Sequence, residues 1–301
     1  MIELFNNGKE LDKVHIAEHR KKPLMELLKK YASLEDVTAI AIGGSSASAS
    51  TDSTSDIDIY IFEKKVTPAD TREQSIVKPC SDNYEVGGDY FGPGDEFMHN
   101  EMGQECDVMY WTMDWFEDIV KSTWINHQGQ NGYTTAFLYT LKNFSIIYDS
   151  GNWLSSLRTM VQKEYPLELR DNIVTRNLML MKDKPFSSYF DQICKAAMRN
   201  DMVSINHRIC AFMASYFDVL FAINRLFHPG EKRLVSFALN NCPVLPAMFK
   251  ENFDELFNCG TTTQRRIELL ETMFNAIKDT WHTIRSQEKI KQNSGRFSDF
   301  N

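Results

Sequence analysis

The stretch from residue 37 to residue 62 constrains this chain more than any other. Two β-prone runs, Val37–Ile42 and Ile57-Asp58-Ile59-Tyr60-Ile61-Phe62, flank a polar, small-residue segment, and the first run ends in Gly43-Gly44. Side chains on a strand point alternately to opposite faces. Ile57, Ile59 and Ile61 are therefore expected to face a packed side, while Asp56 and Asp58 project together from the other. Two carboxylates on one face repel each other unless a cation lies between them. Mg²⁺, which is held by a few carboxylates together with phosphate oxygens, suits such a pair.

The glycines complement the acids. A residue without a Cβ lets exposed backbone N–H groups approach a phosphate closely, and Ser45 adds a hydroxyl donor at an expected helix start. A third strand is expected over residues 105–111. It offers Asp107, with Glu105 and Met109 on the same face by alternation. Three carboxylates from two strands could hold two ions about 3.5–4 Å apart, an arrangement that activates an attacking oxygen and stabilises a leaving one. Glu105 is the candidate general base for an acceptor hydroxyl, with Glu96 and Glu101 competing for that role.

Gly44-Ser45, then Ser55-Asp56-Ile57-Asp58, then a distant hydrophobic-Asp-hydrophobic strand at Asp107 together resemble the signature of the polymerase-β-like nucleotidyltransferase superfamily. Ala47 also matches the small members, whereas Ser48 and Ala49 stand where Arg and Gly are common. The resemblance implies that Gly44 and Ser45 hold a triphosphate, that Asp56 and Asp58 ligate metal, and that Asp107 is the third carboxylate. It further implies two Mg²⁺ ions and ATP or another NTP as donor. A strand-rich core followed by helices is similar to stand-alone enzymes that adenylylate aminoglycosides or lincosamides, with possible relevance to antibiotic resistance.

Beyond residue 112 the strand signals fade and helical periodicity takes over, at 115–124, 134–144, 154–163, 189–198, 203–227 and 265–284. Before the first strand, residues 10–31 carry apolar residues at helical spacing, with an interruption expected near Pro23. The fold class is therefore α+β. A mixed-sheet catalytic domain with flanking helices is expected over 1–125, and an all-helical substrate- and nucleotide-binding domain over 126–301, with the acceptor between them. A helix is expected to stop at Pro229-Gly230 and to present Lys232 and Arg233. This resembles a Pro-Gly-Glu-Lys stretch of helical domains appended to such cores, and Lys232 is the candidate to reach the β/γ-phosphates.

With 33 Lys+Arg against 41 Asp+Glu, the formal net charge of -8 disfavours long nucleic acid and anionic membranes, which both need excess cation. A small cationic or neutral acceptor fits that charge better than a polynucleotide. The six cysteines (Cys80, Cys106, Cys194, Cys210, Cys242 and Cys259) have no C-x-x-C spacing and read as free thiols. Neither a signal peptide nor an apolar run long enough to cross a bilayer is evident, so a cytoplasmic location is expected. The seven histidines share no ligand spacing and read as surface or packing residues. Tyr110, Trp111 and Trp115 could line an acceptor pocket or simply pack.

The resulting expectation is a Mg-dependent transfer of a nucleoside monophosphate, AMP from ATP in the first instance, to a hydroxyl of a small molecule, with release of pyrophosphate. Two alternatives are an antitoxin-type minimal nucleotidyltransferase that modifies or binds a protein partner, and a non-catalytic nucleotide sensor.

Overall fold

A computed structural model describes residues 10–44, 56–90, 92–184 and 186–298. The chain forms two compact units, one of residues 1–121 with 137–164 and one of residues 122–136 with 165–301. The single boundary expected near residue 125 is thus replaced by three crossings, because the chain returns to the first unit to complete its sheet.

In the first unit, residues 11–13 form one 3-10 turn and residues 14–17 belong to no regular element before α1 (Glu18–Ala32) begins. Pro23 lies inside α1 and does not interrupt it, contrary to expectation. The helix gives up one bond there, the one an amide at residue 23 would have made to the His19 carbonyl, and keeps its buried face of Leu24, Leu27 and Leu28. The strands β1 (Val37–Ile42) and β2 (Ile57–Glu63) follow. Next come the one-turn α2 (Ala69–Arg72), which continues into a π turn, and the strands β3 (Tyr84–Gly88), β4 (Gly94–His99) and β5 (Gln104–Thr112). Helices α3 (Met113–Trp124) and α4 (Ala136–Asn143), β6 (Ser145–Asp149) and α5 (Trp153–Val161) complete the series. The sheet runs β3-β4-β5-β2-β1-β6. β2 and β5 pair in parallel and the other pairs are antiparallel.

Alternation along β2 and β5 sorts this sheet into two faces. Ile57, Ile59, Ile61, Cys106, Val108 and Tyr110 are buried in one core with Leu24, Leu27, Leu28 and Tyr31 of α1. The other face carries Asp58, Tyr60 and Phe62 beside Asp107, Met109 and Trp111, paired in that register. Its far end is aromatic: Phe62 and Trp111 pack with Phe116, and Phe62 with Phe144 and Trp153. β6 is buried at all five positions, so strand structure persists past residue 125 and the expected all-helical half is corrected.

Beneath β4 and β5, Arg72 makes a two-pronged pair with Asp95, at 2.8 Å from Nε and 2.7 Å from Nη2. Tyr110 donates its hydroxyl to the same carboxylate at 2.6 Å, and the Gly87 amide donates at 2.9 Å. Arg72 and Asp95 are 2% and 1% exposed, so their charges are stable there only because they are paired and fully hydrogen-bonded.

In the second unit every regular element among the described residues is helical: α6 (Leu167–Leu178), α7 (Tyr189–Met198), α8 (Met202–Ile223), α9 (Leu234–Asn241), α10 (Phe249–Leu256) and α11 (Thr263–Ser298). α7 opens on a reciprocal capping box between Ser188 and Asp191, a pattern that satisfies two otherwise orphaned amides. α8 stops at Ile223 rather than near residue 227. Arg225 takes a left-handed φ of 54°, and the Asn224 side chain donates to the carbonyls of Leu220 and Val244, which ends the helix before Pro229. Within α8, Asp218 is buried and accepts from the Thr134 amide at 3.0 Å, the Thr134 hydroxyl at 2.6 Å and Asn177 Nδ2 at 3.1 Å. His228 is fully buried between the rings of Tyr133 and Phe221.

Candidate active site

The first unit brings Asp56, Asp58 and Asp107 together. Each offers a carboxylate oxygen, and the three oxygens lie within 4.8 Å of one another, with Asp56 exposed and the other two half-buried. The cause is the parallel pairing of β2 and β5, which sets Asp58 directly beside Asp107, while Asp56 stands just ahead of β2 on the same side. Burial raises the Asp107 carboxyl above its ordinary range, and the charges of Glu96, Asp56 and Glu105 raise it further. Such a set binds protons or a cation; three hard oxygen donors at this spacing fit a divalent ion such as Mg²⁺.

Gly44 stands against this cluster with φ +62°, and a Cβ there would lie 1.7 Å from Asp58 Oδ2. Its neighbour Gly43 donates its amide to the Asp58 carbonyl at 3.0 Å, which fixes the end of β1 against the start of β2. The backbone at residue 44 therefore approaches the carboxylates as no side-chain-bearing residue could. Ser45 falls outside the described residues, as does the rest of the segment 45–55. Lys232 is exposed in the second unit, in the turn ahead of α9, and is not among the residues that the first unit gathers.

The register extends the acidic face beyond what the sequence suggested. Glu85 of β3 pairs with Glu96 of β4, Glu96 with Asp107 of β5, and Asp107 with Asp58 of β2. Four carboxylates thus stand in one row across four strands. Glu105 is exposed and shares the face, and with Glu85, Glu96, Tyr84 and Met98 it lines a cavity of ≈ 320 Å³. Glu101 sits in the turn between β4 and β5, off this row. Tyr60, two residues past Asp58, points to the same face; burial and the charges of Asp58 and Asp107 hold its hydroxyl well above the usual phenol range. Alternation along β2 was the signal for Tyr60. Glu85 had none, since it depends on recognising β3.

Among the remaining expectations, all six cysteines are free thiols. No helix among the described residues is long and apolar enough to cross a membrane.

A protein-family profile described as a domain of unknown function (DUF4037) matches residues 132–234. No curated protein matches the sequence. Among solved structures, the chain is similar to a nucleotidyltransferase-like protein from Exiguobacterium sibiricum 255-15, with 9% identity, 86% of this chain and 74% of that one covered, and a TM-score of 0.44. It is also similar to a STING-associated CdnE c-di-GMP synthase from Capnocytophaga granulosa, with 12% identity, 94% and 84% covered, and a TM-score of 0.30.

Proposed function

We propose that the protein is a Mg-dependent nucleotidyltransferase that moves a nucleoside monophosphate, AMP from ATP in the first instance, onto a hydroxyl of a small molecule and releases pyrophosphate. The observation that carries this reading is the convergence of Asp56, Asp58 and Asp107 within 4.8 Å, with the close backbone approach at Gly44 beside it. Asp56, Asp58 and Asp107 would hold the metal, which when bound neutralises phosphate charge and lowers the pKa of an attacking hydroxyl.

The acceptor oxygen forms a bond to the α-phosphorus while the bond from that phosphorus to the bridging oxygen of pyrophosphate breaks. The hydroxyl proton passes to a carboxylate of the same face. Glu105 is the candidate that the sequence gives prominence, and Glu96 is the one in register with Asp107. Gly44 keeps the backbone close enough for its amide to meet the phosphate tail.

The acceptor class follows from charge. A cavity lined by Glu85, Glu96 and Glu105 attracts a cationic molecule and repels an anionic one, so an acceptor bearing amino groups, such as an aminoglycoside, is the favoured instance. The test is pyrophosphate release from ATP and Mg²⁺ with a panel of aminoglycosides, lincosamides and cell metabolites, the product being identified by mass spectrometry. Asp56→Asn should abolish release and leave the fold intact; release that continues unchanged in that variant overturns the assignment.

A further inference from the structure

Beyond the aspartates, at the far end of β5, lies a feature in which no carboxylate takes part. Val66, Pro93, Trp111, Thr112, Trp115 and Phe137, all of the first unit, line a cavity of ≈ 450 Å³. That volume suits a small organic ligand and is many times the roughly 30 Å³ share of one water. Its walls are mostly rings. The indoles of Trp111 and Trp115 are 5.3 Å apart, and the Phe137 ring stands edge-on to both at 5.5 Å. Trp115 is 43% exposed, so this ring set is accessible from solvent.

No charged side chain lines the cavity, and burying an unpaired charge among these rings would be strongly unfavourable. Tyr110 also borders the cavity, but its hydroxyl is committed to Asp95 at 2.6 Å, which leaves Thr112 as the lining hydroxyl open to a ligand. Thr112 Oγ1 accepts from the Trp115 amide at 3.4 Å at the start of α3, and among the described residues its own proton goes to no protein acceptor. Water in such a cavity finds few partners, and a flat ring that displaces it gains ring-to-ring contact on several sides. Trp111 lies four residues beyond Asp107 on β5, about 13 Å at strand rise, so the two features are separate places along the strand.

We infer that this cavity is a binding site for an uncharged heteroaromatic ring carrying a hydrogen-bond acceptor, seated against the rings of Trp115, Trp111 and Phe137 and oriented by the Thr112 hydroxyl. The inference does not depend on the nucleotidyl-transfer reading, because none of the acidic residues lines the cavity. The ring has two possible sources: the base of a nucleotide whose phosphates lie at the aspartates, or a separate small molecule.

Isothermal titration with adenosine, which has the ring and no phosphate, tests the site. Saturable binding is expected in the native protein and, undiminished, in Asp58→Asn. Trp115→Ala should abolish it, and Thr112→Val should weaken it about three- to tenfold, with thermal melts verifying that both variants fold. A parallel titration with ATP and Mg²⁺ separates the sources. Weakening of ATP by Trp115→Ala assigns the ring to the nucleotide, and unchanged ATP binding assigns it to a separate molecule. The absence of saturable adenosine binding, or binding that both Trp115→Ala and Thr112→Val leave unchanged, overturns the proposal.

Discussion

A Cβ on residue 44 would sit 1.7 Å from the Oδ2 of Asp58, so any side chain there and the aspartate carboxylate would claim the same space. Gly44→Ala must push the carboxylate away and also hold a left-handed φ, which by itself costs about 1–2 kcal/mol for an L-residue. The expected result is a fall of about 10²-fold in pyrophosphate release, the scale of a misplaced reacting group, with only a modest loss of thermal stability. Comparing kcat and melting temperature of the variant checks both halves.

Asp107→Asn removes one charge from a row of four. Without metal the variant should melt no lower than the native protein, because the neighbours that raise the Asp107 carboxyl lose a repulsive partner. Added Mg²⁺ should stabilise the native protein, by about 2.7 kcal/mol at a hundred times its dissociation constant, and should do little for the variant. Thermal melts with and without the ion decide this.

The pair beneath the sheet should behave in the opposite way. Asp95→Ala leaves Arg72 buried without its partner and removes the acceptor for Tyr110 and Gly87. Breaking a buried pair by removing one member costs about 3–5 kcal/mol, to be read as a lower urea midpoint whose gap from the native protein persists when Mg²⁺ is added to both.

Two buried groups in the second unit give opposed pH dependences. Burial pushes the Asp218 carboxyl up to about 7, although Thr134 and Asn177 donate to it. Between about pH 4 and 7 the folded chain therefore keeps a proton that the unfolded chain has lost, and stability falls as pH rises. Burial pushes His228 down to about 4. Between about pH 4 and 6.5 the unfolded chain binds the extra proton, and stability rises with pH by up to about 1.4 kcal/mol per unit. The two trends offset each other in the native protein. Asp218→Asn should leave a rising profile and His228→Gln a falling one, measured by urea unfolding from pH 4 to 6.5; parallel profiles in the two variants would refute the pairing.

The parts of the fold that were legible in the sequence were those with a clean period and clear punctuation. A β-prone run ending against Gly43-Gly44 marked β1, strict alternation marked β2, and the Asp56, Asp58 and Asp107 cluster followed from strand geometry. β3 and β4 were obscured by Gly87, Gly88, Gly92 and Gly94 with Asp89 and Pro93 among them, a composition typical of loops although strands end at Gly88 and start at Gly94. With them went the place of Glu96, whose register with Asp107 is set by a pairing that no local pattern encodes. β6 follows directly on the helical pattern of α4, and all five of its positions are buried, so it has neither alternation nor a turn signal to announce it.

β6 also decides how the chain can be divided. It hydrogen-bonds along the outer side of β1, and it arrives from residues 145–149, after the chain has already passed through the second unit. A fragment ending at residue 125 would bare the amides and carbonyls of β1 along that side, an open template for self-association. Neither unit can be released by one cut, and a dissection that keeps the aspartates in place must carry the returning segment with them.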